Sequence, residues 1–345
     1  MMLTCFEPRA GTSSGDGRRL TVDIVHPGQT HGGGGIHLNY VARAVGQAHD
    51  VRVYWPAPRP LPRRPTILVA TRLLTAVRRP DVWILPVIPL AAVGAAAGRK
   101  GVVGLFYHHD PPTQKRDWLD HVIEKRLWDG LRSARRVVVI AEYWRRYLLD
   151  RGVIDPVVIH TPFEVERYRV SPADIEAFRL EHGLTKRPLV YLGNCRPQKG
   201  TEEAWAALRD LDYGFVTSGR RALDLPVPNI DGSIHDYVLL LAACDVVLTM
   251  STFAEGWNRT AHEAMLVGTP VIGSGRAGMR ELLEDGGQLI CERFEDLRHL
   301  IPHVIEERAA RGDRGRRYAA QFTVARFATE WMELLATCCP GSKGR

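Results

Sequence analysis

Residues 251–275 read STFAEGWNRTAHEAMLVGTPVIGSG, and the preceding DVVLTM (245–250) completes a strand, a loop, a helix and a second strand. DVVLTMS (245–251) is a short continuous apolar run, the pattern of a strand buried on both faces. TFAEGWN (252–258) reads as a loop. RTAHEAMLV (259–267) reads as a helix stopped by Gly268, and TPVIGSG (269–275) as the next strand. This order belongs to a parallel sheet covered by helices on both faces. The loop and the helix each carry a carboxylate, Glu255 and Glu263, in otherwise apolar surroundings. Both are placed to face a cleft and accept hydrogen bonds from polyhydroxylated groups, a sugar and a ribose. A structural alternative for Glu263 is a capping box with Thr260, since Thr260-x-x-Glu263 has the required spacing.

The same alternation extends outward in both directions. Downstream of residue 187, PLVYLGN (188–194) and YGFVTSGR (213–220) are strands, and TEEAWAALRDL (201–211) and HDYVLLLAAC (235–244) are helices. FTVARFATEWMELLATC (322–338) is an amphipathic closing helix. Upstream, strands are expected at 18–28, 51–55, 66–71, 81–86, 101–109, 135–142 and 156–162, with helices at 32–47, 116–131 and 143–150. WPAPRPLPRRP (55–65) is a loop. The expected domains are a disordered leader (1–19), a first doubly wound domain (20–170), a polar joint (171–187), a second such domain (188–320) and a closing helix (321–340). Ligands of this architecture bind at the carboxyl ends of the strands.

Composition narrows the function classes. Of 345 residues, 45% are hydrophobic and 25% charged, the profile of a globular protein, and no uninterrupted apolar run is long enough for a spanning helix. MMLTCFEPRAGTSSGDGRR lacks the apolar core of a secretory signal. The six cysteines form no C-x-x-C pair, which speaks against a zinc ribbon or a disulfide framework and for a reducing, cytoplasmic setting. Residues 1–187 hold 28 Lys and Arg against 18 Asp and Glu, whereas residues 188–345 hold 18 against 21. A basic first half suits an anionic partner, or is a solvated arginine-rich surface. It lacks the interleaved aromatic and glycine motif of RNA-binding modules, so no nucleic-acid role is expected.

Two glycine-bearing turns supply further candidates. HGGGG (31–35) lies between a strand and a helix, where backbone N–H groups could meet an anion at close approach. It is not the G-x-G-x-x-G fingerprint, and no acidic residue ends the next strand to hold a ribose, so an NAD site is disfavoured. LGNCRPQKG (192–200) places Arg196 and Lys199 between a strand and a helix, two cations able to neutralise a diphosphate or simply a solvated basic turn. No His or Asp stands at metal-ligand spacing from Glu255 and Glu263.

Taken together these residues resemble retaining, nucleotide-sugar-dependent glycosyltransferases of family four, which have the GT-B fold. The likeness rests on Glu255-x7-Glu263 followed by EAMLVGTPVIGS, on YLGNCRPQKG, on DYVLLLAACDVVLTMSTFAEGW, on AGMRELLEDG and on RFATEW. It is looser in GGGGIHLNYVARAV, FYHHD, VIAEYWRRYLLDRG and VVIHTPFEVERY, and spans about residues 20–338. It implies an α/β chain of two facing Rossmann-like domains with a C-terminal crossover helix. It also implies that Glu255 holds the donor-sugar hydroxyls, Glu263 the ribose hydroxyls and Lys199 the diphosphate. Backbone amides of Gly256, Trp257 and Asn258 would face the sugar and phosphates. Gly34 and Gly35 would approach the diphosphate from the other domain. His109 would contact the transferred sugar, with His108 the register-shifted alternative.

One departure stands out. Asn194 follows Gly193 where the family has Arg, so either Arg196 reaches the same phosphate or Lys199 and amides act alone. Asn258 and Arg259 also stand where glycine and small apolar residues are common. The expected reaction moves a sugar from a nucleotide diphosphate sugar to an acceptor hydroxyl with retention, without a metal or other cofactor. The rivals are a sugar-nucleotide epimerase and a nucleotide-sugar-binding protein without catalysis. The expected partners are the donor and a sugar-bearing, lipid-linked or small-molecule acceptor. Ten basic against six acidic residues in 115–151 fit peripheral contact with an anionic membrane at its inner face, and equally a soluble acceptor.

Overall fold

The computed structural model describes residues 19–26, 33–54, 79–108 and 118–338. The strand expected at 66–71, the loop at 55–65, nearly all of the leader and His109 lie outside the described residues.

Among the described residues, strands form two sheets of six. The first contains β1 (Thr21–Val25), β2 (Asp50–Tyr54), β3 (Val82–Pro86), β4 (Val102–Phe106), β5 (Arg136–Val139) and β6 (Val157–Val158), in the order β2-β1-β3-β4-β5-β6. The second contains β7 (Leu189–Asn194), β8 (Gly214–Ser218), β9 (Asn229–Ile230), β10 (Val246–Thr249), β11 (Val271–Gly273) and β12 (Leu289–Ile290), in the order β12-β11-β10-β7-β8-β9. Their pairings are parallel. Continuous apolar strands such as VWILP and VVLT have both faces buried, which a parallel sheet requires.

In the first sheet, Val22, Ile24, Ile84, Val103 and Leu105 join one core with Leu38 and Val41 of the helix Gly33–Val45. Phe327, Trp331 and Leu335 of the helix Val324–Ala336 complete that core. Their four-residue spacing places all three on one face of the helix. Full burial of Trp331 at 0% exposure contributes on the order of 2–3 kcal/mol. Asp23 lies between Val22 and Ile24, so it faces the opposite side, and it is fully buried. Arg52, its partner in the β1–β2 register, donates to it at 2.6 and 2.9 Å. Burial still raises the Asp23 carboxyl above its usual range, with Arg52 opposing the shift.

The chain divides into two units, the first running to Pro162 and resuming at Val324, the second being Phe163–Thr323. The stretch 171–187 contains the helix Pro172–Glu181, which Ser171 caps by accepting from the Asp174 N–H, and it lies within the second unit. The helix Val324–Ala336 packs in the first unit. The sequence reading did not anticipate the helix Val87–Val93 or the two-residue strands β9 and β12. Strands that short carry no measurable period.

Strand order reverses between β1 and β3 in the first sheet and between β7 and β10 in the second. The crevice outside the carboxyl ends of the strands at such a reversal is where open α/β sheets take their ligands. In the second sheet, that crevice is bordered by the segments following β7 and β10.

Candidate functional site

After β7 the chain makes a 3₁₀ turn, Pro197–Lys199, and enters the helix Thr201–Leu208 through Gly200 at φ +65°. A Cβ on Gly200 would lie 2.3 Å from the Met250 carbonyl oxygen and 2.9 Å from the Phe294 ring. Only glycine allows this close passage against the segment that leaves β10. The passage brings Lys199 to the loop that follows β10.

There, Glu255 is 7% exposed and its Oε1 accepts hydrogen bonds from neighbouring side chains. Lys199 Nζ donates at 2.7 Å, Ser251 Oγ at 2.6 Å and Asn258 Nδ2 at 3.1 Å. Burying a carboxylate is costly unless it is paired and hydrogen-bonded, and these donors offset the cost. Lys199 remains 30% exposed along its side chain, and its Nζ stands 4.8 Å from the centre of the Phe253 ring. An ammonium has three donors, so it can hold Glu255 and still meet an anion.

Asn258 has a second task. Its side chain accepts from the Ala261 N–H at 2.8 Å and caps the helix Arg259–Val267. The alternative for Glu263, a capping box with Thr260, does not form. The helix begins at Arg259, so Asn258 is the residue in extended conformation at its entry. Thr260 instead accepts from the Tyr237 hydroxyl at 3.0 Å. Glu263, 5% exposed, accepts from Arg259 at 2.9 Å and from the Tyr168 hydroxyl at 3.1 Å.

Other expected residues lie elsewhere. The Trp257 indole is buried and donates to His262 Nδ1 at 3.1 Å, so its side chain belongs to the core. Because Nδ1 accepts, the proton of His262 sits on Nε2 and is donated to the Ala319 carbonyl at 3.1 Å. Gly256 and Asn258 are buried beside it. Asn194 donates to Ser218 Oγ at 3.1 Å, and Ser218 is paired at 2.7 Å with the hydroxyl of Tyr191. Complete burial pushes that phenol well above its ordinary range. Arg196 is exposed, and its side chain has no hydrogen bond or ion pair among the described residues. The structure thus brings Lys199 to Glu255 but not Arg196. Gly34 and Gly35 occupy the first turn of the helix after β1, in the first unit, where the Gly35 carbonyl lies 3.3 Å from His26 Nε2. Ser251 and Tyr168 carried no signal in the sequence, whereas the Arg259–Glu263 pair was legible as an i,i+4 spacing.

The loop after β11 adds strain beside the site. Ala277 has φ +53° and ψ −127°, a conformation suited to glycine. It bridges to Glu255, and the Gly278 N–H donates to the Glu255 carbonyl at 3.1 Å. Strain of this kind costs roughly 1–3 kcal/mol, and replacing Ala by Gly gives back part of that as unfolded-chain entropy. Ala277→Gly is therefore expected to raise stability by about 1 kcal/mol. Thermal unfolding checks this, and a lowered melting temperature would show that the alanine is not strained.

Among the described residues, no group of three His, Cys, Asp or Glu is placed to hold a metal ion, and no helix is long and apolar enough to cross a membrane.

The model of the family described as glycosyl transferases group 1 matches residues 187–306. No curated protein matches the chain. Solved structures similar to it include Anabaena Alr3699/HepE in complex with UDP-glucose, at 20% identity and TM-score 0.73, covering 92% of this chain and 100% of that one. Sucrose-phosphate synthase from Thermosynechococcus elongatus has 16% identity and TM-score 0.76, covering 92% and 98%. A glycosyltransferase from Rickettsia africae has 15% identity and TM-score 0.70, covering 94% and 100%. Likeness at these identities is one of fold. The chain has the fold of two Rossmann-like domains found in GT-B structures, and the group 1 glycosyltransferase model matches a segment of its second unit.

Proposed function

We propose that the chain transfers a sugar from a nucleoside diphosphate sugar to an acceptor hydroxyl, with retention at the anomeric carbon. The observation that carries this reading is the Lys199–Glu255 pair at the β7/β10 reversal, within the segment the group 1 model matches. A cation for a diphosphate and a carboxylate for hydroxyls are the two groups such a donor needs. In this reading Glu255 orients the transferred sugar, Glu263 takes the ribose and Lys199 stabilises the departing diphosphate. The protein contributes position and preorganised charge. The departing phosphate takes the proton of the attacking hydroxyl on the same face. Lys199 supplies the charge that a metal supplies elsewhere, and the residues of family four are the pattern this site follows. Two of the similar structures bear on the donor: the Anabaena protein was solved with UDP-glucose and with UDP and glucose.

The acceptor is proposed to be anionic or lipid-linked. Exposed Lys125, Arg146 and Arg151 in the first unit stand in the same segment as Trp118 and Tyr143, 75% and 44% exposed. Sedimentation with anionic vesicles at low and high salt tests this, and indifference to the vesicles would remove it.

The donor is tested by thermal shift with UDP-, GDP-, ADP- and dTDP-sugars. A ligand present at one hundred times its dissociation constant stabilises the folded chain by about 2.7 kcal/mol. One nucleotide class is expected to raise the melting temperature by several degrees, and its sugar to be consumed only when an acceptor is present. If none stabilises the chain, the function is wrong. Product formed without acceptor would indicate an epimerase.

A further inference from the structure

The two hydrogen bonds that hold Glu263 fall on the same oxygen. Arg259 Nη2 and the Tyr168 hydroxyl both donate to Oε1, at 2.9 and 3.1 Å, and Oε2 has no partner among the described residues. Arg259 runs against local preference in three ways. It places a cation in the first turn of a helix, where the dipole favours anions. It stands N-terminal to its glutamate, the weaker orientation of an i,i+4 pair. Its side chain is only 20% exposed, although arginine is among the costliest residues to bury.

Tertiary contacts compensate for these costs. The guanidinium lies 4.5 Å from the centre of the Phe163 ring, and Phe163 is itself stacked on His262 at 3.8 Å. Tyr168 ends the 3₁₀ turn Val165–Tyr168 and reaches a partner 95 positions away. A residue of the same helix and one from a remote turn therefore converge to fix one carboxylate oxygen. A local rule broken with such specific compensation marks a functional position.

We propose that Arg259 and Tyr168 are positioning residues that lock the Glu263 carboxylate by Oε1 and leave Oε2 to receive ribose hydroxyls, so that they set a preference for ribonucleoside over 2′-deoxyribonucleoside diphosphates. The proposal rests on the function given above. A carboxylate only accepts, so the second oxygen must be met by an O–H of the ligand. A 2′-deoxy ligand withdraws one such donor. A carboxylate held by two donors keeps Oε2 aimed at the ribose hydroxyls, and an unlocked one loses that aim and with it part of the bond to the 2′-hydroxyl. Sites built to bind a hydroxyl discriminate strongly against the analogue lacking it.

The test is binding of UDP and 2′-deoxy-UDP, and of the matching GDP and ADP pairs, to the full chain and to its Arg259→Leu, Arg259→Lys and Tyr168→Phe variants. For the nucleotide the wild type binds best, the ribo form is expected to be favoured about tenfold, the worth of one charge-assisted hydrogen bond. Arg259→Leu and Tyr168→Phe are expected to cut that preference to about threefold or less by weakening the ribo form alone, with Arg259→Lys intermediate. With the sugar donor, KM rises and kcat stays nearly constant. An equal loss for both ligands, or an unchanged preference, overturns the proposal and leaves the function standing. Failure of the wild type to bind any of these nucleotides or dTDP overturns the function and the proposal together, whereas binding of dTDP alone overturns the proposal and leaves the function standing. If Arg259→Leu does not fold, Tyr168→Phe, which removes a single hydroxyl, decides.

Discussion

Glu255→Ala is expected to lower sugar transfer by about 10²–10³ in kcat/KM, the scale seen when a preorganised polar group that acts on the transition state is removed. The carboxylate sits at the centre of a small network, with Lys199, Ser251 and Asn258 all donating to one oxygen. Alanine leaves those donors without their acceptor and frees the Lys199 ammonium from the position that the pair enforces. Glutamine does not rescue it. Its neutral amide offers a weaker acceptor to the lysine, and turning the amide the other way sets donor against donor. Since Lys199 is partly exposed and can be rehydrated, the stability loss is about 1–3 kcal/mol, less than for a fully buried pair. Unfolding therefore shifts by a few degrees while activity is lost almost entirely. Glu255→Ala with transfer within threefold of wild type would refute the role.

Lys199→Met is expected to produce a comparable fall in transfer, about 10²–10³, through a different step. The cation is proposed to neutralise charge as the diphosphate leaves. Methionine keeps the unbranched stem and removes only the charge. Binding separates this from a structural effect. A nucleoside diphosphate should bind the variant at least tenfold more weakly, the worth of about 1.4 kcal/mol, whereas the nucleoside without phosphates should bind both proteins alike. Equal affinity of wild type and variant for the diphosphate would confine Lys199 to holding Glu255. The exposed Arg196 offers an internal control. With no side-chain hydrogen bond or ion pair among the described residues, its replacement by alanine should leave the fold intact and read only whether Arg196 reaches the same phosphate.

Glycine and the cap show where sequence reading succeeds and where it stops. Gly200 was legible as part of a turn between a strand and a helix. Its necessity lies in the Met250 carbonyl, fifty positions away, which leaves no space for a Cβ. Thr260-x-x-Glu263 has the spacing of a capping box, yet Asn258 caps the helix. Spacing constrains which bonds are sterically available, and the true helix start selects among them. Arg196 and Lys199 look equivalent in RPQK. The φ +65° turn at Gly200 and the 3₁₀ geometry before it send one inward and leave the other in solvent.

The sequence by itself determined the alternation of buried strands and helices, the two-sheet architecture and the identity of the ionisable residues after β7 and β10, because periodicity and turn chemistry act over a few residues. Strand order, the meeting of Lys199 with Glu255 across 56 positions, and the reach of Tyr168 to Glu263 were decided by the tertiary structure. Those contacts depend on which strands become neighbours, and that choice is made by burying helix and sheet faces together, a property of the whole chain that no local window contains.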